Sequence, residues 1–146
     1  MITDKTGNVI CPFVSDSVNI PDISLLDSSI NSLVCVLELT GIKIRKRTKV
    51  NLDSGFDSKN NRMKIFSIGL RPNIKDNPRN RKKPKRGKQR IFDAEKYKER
   101  FVCERTFAWE DKFKRLLLRF EVISDRFQSF KLLAYTLINL RHFCNS

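Results

Sequence analysis

Histidine is nearly missing from this chain: His142 stands alone, and the four cysteines (Cys11, Cys35, Cys103, Cys144) lie far apart with no CxxC pair. A zinc finger or ribbon needs several such donors close together, so that class is excluded, and the cysteines read as free thiols in a reducing compartment. Long apolar runs are missing too. The longest, Leu132 to Leu140, is broken by Asn139 and falls well short of the ~20 residues a membrane helix requires. Met1 to Cys11 has no basic start followed by an apolar run, so no signal peptide is expected, and the expectation is a soluble, cytoplasmic protein with no membrane partner. Acidic residues are scarce in the middle of the chain, where residues 71–90 carry ten Lys and Arg against Asp76 alone.

What is present fits one domain over 1–146: 40% apolar and 32% charged residues, enough for a single core. A net charge of +14 points to a polyanionic partner, nucleic acid before membrane. The charge is uneven. Residues 1–40 hold one Lys and five acids, whereas residues 41–70 hold eight basic groups and two acids. Residues 71–90, interrupted by Pro72, Pro78 and Pro84, read as a basic loop or partly disordered arm.

The remaining elements follow from pattern. Residues 8–14 read as a strand after the Thr6-Gly7-Asn8 turn. Pro21-Asp22 opens a helix whose stripe is Ile23, Leu26, Ile30, Leu33, Val34 and Leu37, and Gly41 closes it. Lys49 to Asp53 alternates like a strand and stops at Ser54-Gly55. A short helix after Asp57 and a strand around Met63 to Leu70 are expected. Asp93 is an N-cap for a helix that runs past Trp109, and a last helix covers Arg126 to Phe143. The order predicts a mixed α/β class, a sheet flanked by helices.

Two acids stand out. Asp53 ends a strand at a turn, the sheet edge where open α/β folds place ligands. Glu104 shares a helical stripe with Tyr97, Arg100 and Asp111, bordered by Phe101 and Ala108, which predicts a core-facing side. Arg100, one turn earlier, can hold Glu104 ionised. Plainer readings exist for both: Asx-turn forming for Asp53, and an ordinary i,i+4 ion pair for Arg100 with Glu104. Trp109 and Phe113 read as core rather than as base-stacking residues.

Tyr97-Lys98-Glu99-Arg100-Phe101-Val102-Cys103-Glu104, continued by Arg105-Thr106-Phe107-Ala108-Trp109 and Phe113-Lys114-Arg115-Leu116, resembles the signature of DDE insertion-sequence transposases: Tyr, two residues, Arg, three residues, Glu. Asp53-Ser54-Gly55-Phe56-Asp57-Ser58 is similar to that family's Asp-x-Gly-aromatic motif. Asn73 to Arg81 resembles its Ile-Pro-x-x-Arg region, and Thr3-Asp4-Lys5-Thr6-Gly7 and Asn19-Ile20-Pro21-Asp22 resemble the stretch downstream of its first catalytic Asp. The resemblance implies a ribonuclease H-like fold in which Asp, Asp and Glu hold two Mg²⁺, with Asp53 and Glu104 as the second and third ligands. It implies that Tyr97 and Arg100 contact DNA phosphate or orient the glutamate. The basic arm, through Arg79, Arg81, Lys82, Lys83, Lys85 and Arg86, is expected to bind DNA. Asp111 stands where some branches carry a lysine. The first Asp should precede Thr3-Asp4-Lys5, so the chain is expected to be a truncated catalytic domain that lacks it.

Hard Mg²⁺ prefers oxygen ligands, which fits the scarcity of histidine. Two such ions roughly 3.5–4 Å apart activate the attacking oxygen and neutralise the leaving one in phosphodiester transfer. The alternatives are a non-catalytic DNA-binding transposase remnant and, less favoured by the Tyr97–Trp109 motif, an RNA-associated basic protein. Partners expected besides DNA are a second copy or a full-length transposase.

Overall fold

The computed structural model describes residues 1–11, 22–80, 90–118 and 120–144. Asp4 shapes the first hairpin: its Oδ1 accepts from the backbone N–H groups of Thr6, Gly7 and Asn8 at 2.8, 2.8 and 2.9 Å. That Asx turn brings β1 (Ile2–Thr3) back antiparallel onto β2 (Val9–Cys11). Burial works against the Asp4 charge, but the hydrogen bonds from Thr6 and Asn8 hold its carboxyl below the usual range. Asn139 of the last helix covers Val9 as a neighbouring strand would, donating to its carbonyl at 3.0 Å and accepting from its N–H at 2.8 Å.

The first long helix, α1 (Leu26–Thr40), follows a 3-10 turn at Asp22–Leu25 and ends at Gly41, whose φ of 67° suits a residue without Cβ. It buries Leu26, Ile30 and Leu33 at three- and four-residue steps. These meet Cys11, Ile65, Leu70 and Ile74 in the main core. Each such aliphatic side chain contributes about 1.5–3 kcal/mol on burial.

β3 (Lys49–Leu52) pairs in parallel with β4 (Arg71–Ile74), in register from Lys49 opposite Arg71 to Leu52 opposite Ile74. Parallel strands need a crossover, and α2 (Lys59–Ser67) supplies it. The strand expected at Met63 to Leu70 is therefore mostly helix, and the strand lies at 71–74. Ser58 decides this locally by capping the helix, its hydroxyl accepting from Asn61 N–H at 3.1 Å. The expected basic loop over 71–90 is corrected at its start, since residues 71–74 are β4 and Pro78–Asn80 form a 3-10 turn. Pro72 is tolerated because its nitrogen faces away from β3, where the ladder has no further strand among the described residues.

The C-terminal part comprises α3 (Ala94–Lys98), α4 (Phe101–Glu110), α5 (Lys114–Leu117) and α6 (Ser124–Cys144). Buried Tyr135 donates to Glu110 at 2.9 Å, and Lys131 lies 3.0 Å from the same carboxylate, latching α4 to α6. Burial, and then the Glu110 charge, push the Tyr135 phenol far up, so it remains a donor. Trp109 is half-buried, with Lys112 and Arg141 over its ring at 3.6 and 3.8 Å. The class is mixed α/β, as expected, but the sheet is small: among the described residues, two separate two-stranded ladders. No helix among them is long and apolar enough to cross a membrane.

Candidate functional site at the end of the parallel ladder

β3 runs directly into Asp53. This residue has left the ladder (φ −63°, ψ 157°) and caps the 3-10 turn Ser54–Phe56, its Oδ1 accepting from Ser54 N–H at 2.7 Å. The cap uses one oxygen of a side chain that stays 61% exposed.

A buried amide bracket carries the signature helix to this point. Asn73, on β4, donates to Asn51 Oδ1 at 2.8 Å and to Asp93 carbonyl at 2.9 Å, and accepts from Asp93 N–H at 3.0 Å. Asn51 in turn donates to the Lys96 carbonyl at 2.7 Å. Asp93 pairs with Lys49 and caps α3 through Lys96 N–H at 3.1 Å. The hydrogen bond from Lys49, then that from Lys96, lower the Asp93 carboxyl. Neighbouring positions on both strands thus fix the start of α3, and Tyr97 and Arg100 arrive beside Asp53.

Arg100 sits in the break between α3 and α4. One guanidinium nitrogen lies 3.7 Å from Asp53 Oδ1 and 3.8 Å from Glu104 Oε1. The two carboxylate oxygens, from residues 51 positions apart, therefore lie no farther apart than the sum of those legs. That falls inside the roughly 8 Å that bonds to two metal ions about 4 Å apart would span. The guanidinium also rests near Tyr97 and Phe101, 5.3 and 5.0 Å from their ring centroids. Burial pushes the Tyr97 hydroxyl up. Arg100 opposes this and the adjoining Asp53 carboxylate reinforces it, so the phenol stays protonated beside Asp53.

Two expectations need correction. Glu104 is 59% exposed, not on the core-facing side. The helix is broken at Glu99–Arg100, and the face of α4 turned inward carries Thr106 and Glu110. Thr106 fixes that rotation by donating to the Gly7 carbonyl at 3.1 Å, as does the Glu110–Tyr135 latch. α4 packs on α6 and β1, and the shorter α3 is the element docked on the parallel strands.

Asp57 was not foreseen. Its carboxylate is nearly buried, with 3% of the side chain exposed. Oδ1 accepts from Arg62 Nε at 2.9 Å and from Arg90 at 2.8 Å, and Oδ2 from Asn77 N–H at 3.0 Å. Arg62 also donates to the Ile74 carbonyl at 2.9 Å. Desolvation raises the Asp57 carboxyl, but the Asn77 hydrogen bond and the Arg62 pairing outweigh it and hold it low. The legible signal was an Arg five residues on, one turn into a helix that the Asp precedes. Arg79 is exposed in the turn after β4, at the same end of the ladder as Asp53. Arg81, Lys82, Lys83, Lys85 and Arg86 lie outside the described residues. Among the described residues, no group of three or more His, Cys, Asp or Glu could hold a metal ion.

The profile of the transposase DDE domain family matches residues 25–139, which include both exposed carboxylates and the arginine between them. The chain belongs to that family. It is also 29% identical over 138 residues to a Burkholderia cepacia protein whose name assigns it as transposase of insertion sequence element IS402. That alignment takes in 94% of this chain but 60% of the relative, so this transposase domain spans less than two thirds of the relative's length. No solved structure matches the chain.

Proposed function

We propose that this chain is part of a ribonuclease H-like transposase catalytic domain that binds DNA and contributes Asp53 and Glu104 to a Mg²⁺ centre for strand cleavage and transfer. The observation that carries the reading is Arg100, held between two exposed carboxylates that the sequence separates by 51 positions. Two carboxylates that ordinary packing would leave apart share one cation, in an all-oxygen donor set that suits a hard dication. Mg²⁺ keeps several waters and takes one or two protein carboxylates, so Asp53 and Glu104 suit it chemically as part of a ligand set that water would complete. When bound, such ions would activate the attacking oxygen and neutralise the leaving one.

The protein's own groups have separate tasks. Arg100 offsets the repulsion between the carboxylates while no dication is bound, and its fork then suits a DNA phosphate. Tyr97 remains a neutral donor toward Asp53 or a phosphate oxygen. Arg79, with the cations of residues 81–86, supplies backbone attraction. If six to ten cations contact phosphate, affinity falls by about 10³–10⁵ between 50 and 200 mM salt. Two carboxylates leave two dications under-neutralised, so this chain by itself is expected to bind metal weakly and not to turn DNA over.

The test is calorimetric titration with Mg²⁺ and Mn²⁺, alongside strand cleavage on insertion-element end DNA. Asp53→Ala and Glu104→Ala should each abolish metal binding. Binding unchanged by both substitutions would sink the metal reading. The second reading, a DNA-binding remnant without catalysis, is favoured by the absence of a third metal-ligating neighbour among the described residues. It requires DNA affinity that is indifferent to metal and to both substitutions.

A further inference from the structure

The parallel ladder has a second charged end. Before β3 the chain reads Lys43-Ile44-Arg45-Lys46-Arg47-Thr48, and Lys43, Arg45, Lys46 and Arg47 are all exposed. Arg71, the first residue of β4, is exposed beside them. The segment is tied to the ladder. Arg47 N–H donates to the Gly69 carbonyl at 2.8 Å and Arg71 N–H to the Thr48 carbonyl at 2.9 Å. Thr48 closes the turn on the Arg45 carbonyl through its N–H at 3.1 Å and its hydroxyl at 2.6 Å. Four of the five cations therefore stand on a braced segment, with Arg71 beside it at the start of β4. None of them is in an ion pair among the described residues. Glu38 lines a shallow groove with Lys43 but does not pair with it.

Arg47 adds an independent observation. Its φ is 66°, and among the described residues it is the one non-glycine residue with positive φ. At the third position of a tight turn this backbone favours Gly or Asn, and a long side chain there carries a conformational cost. A charge present for solubility alone could sit at any neighbouring exposed position without that cost. Strain of this kind, kept at an exposed cation amid four others, is the pattern expected where the side chain has a ligand.

We propose that this turn, with Arg71, is a second DNA-contacting surface that engages duplex phosphates away from the candidate catalytic site; the inference rests on the reading that the chain binds DNA. From Arg47 to Asp53 the chain is extended over six residues, roughly 20 Å at 3.3 Å per residue, so one phosphate group cannot bridge both ends. The strand ends carrying Asp53 and Arg79 face the reacting DNA. The strand starts hold flanking duplex, or a second duplex, by charge and without base readout.

The test compares four forms of the whole chain, the parent among them, for duplex binding across a salt series, with thermal melts in parallel. Arg45→Gln/Lys46→Gln/Arg47→Gly should lower the log–log salt slope by about 2–3, since each phosphate contact contributes roughly 0.9. Arg47→Gly alone should lower it by about 1. It should melt no lower than the parent, because glycine accepts the positive φ, so lost affinity cannot be ascribed to lost folding. A control, Arg79→Gln, removes a cation at the other end. If the control weakens binding and both turn variants keep the parental slope, this inference falls alone, and the turn's partner is then not DNA. If the parent does not bind duplex DNA at all, both readings fall.

Discussion

Asp53 and Asp57 are four residues apart in one motif, and Glu104 and Glu110 are six apart on one helix, yet each pair divides the same way. Asp57 and Glu110 are buried and neutralised by local partners: Arg62 and Arg90 for one, Tyr135 and Lys131 for the other. Asp53 and Glu104 are more than half exposed and share Arg100 at distances too long for hydrogen bonds. The buried acids fasten elements together. Asp57 joins Asn77 and Arg90 to α2, and Glu110 joins α4 to α6. The exposed acids fasten little and keep oxygens available. The difference separates acids that build the site from acids that could act in it.

The largest expected effect tests that division at its strongest point. Asp57→Ala leaves Arg62, 9% exposed, without its main counter-ion and should destabilise the fold by about 3–5 kcal/mol in denaturant melts. If Asp53→Ala cost as much, the contrast would collapse. Next comes the Glu110 latch. Tyr135→Phe removes the buried donor and should cost about 1–3 kcal/mol, measured the same way.

Acid provides a third test, on Asp57 itself. Its folded pKa is depressed below the ordinary value near 3.9, so its stabilisation is complete above about pH 4 and is lost as pH falls through the lower folded value. Melting temperature should therefore drop with pH in that window for the parent protein and for Asp53→Asn. It should drop less steeply for Asp57→Asn. A parent protein whose stability is flat between pH 5 and about 2 would contradict the assigned role.

The smallest effect sharpens the other side of the comparison. Asp53→Asn, Glu104→Gln and Arg100→Ala should each change stability by no more than about 0.5–1 kcal/mol, as for exposed pairs. A cost of several kcal/mol at any of them would mean that the exposed acids are also structural fasteners.

Much of the fold was legible because its signals are local. The apolar spacing of Leu26, Ile30 and Leu33 with Gly41 behind them, the stop at Ser54-Gly55 and the Asp93 cap each act within one or two turns of chain. Where reading failed, the deciding contacts were distant. Met63, Ile65, Phe66, Ile68 and Leu70 read equally well as strand, and the parallel pairing of β3 with β4 required the helix. An unbroken helix would turn Glu104 inward, whereas the rotation of α4 is set by Gly7 and Tyr135.

The sequence by itself determined the excess of positive charge, the scarcity of histidine, and the spacing of Tyr97, Arg100 and Glu104, since residue type and short spacing suffice for these. Tertiary structure alone decided which acids are exposed, that Arg100 stands between two of them, and that a strained arginine marks the far end of the ladder. Burial, and the sharing of one cation by two distant acids, depend on which elements pack together. That choice is made by the summed burial of many side chains and by buried amides such as Asn73, not by any residue's immediate neighbours.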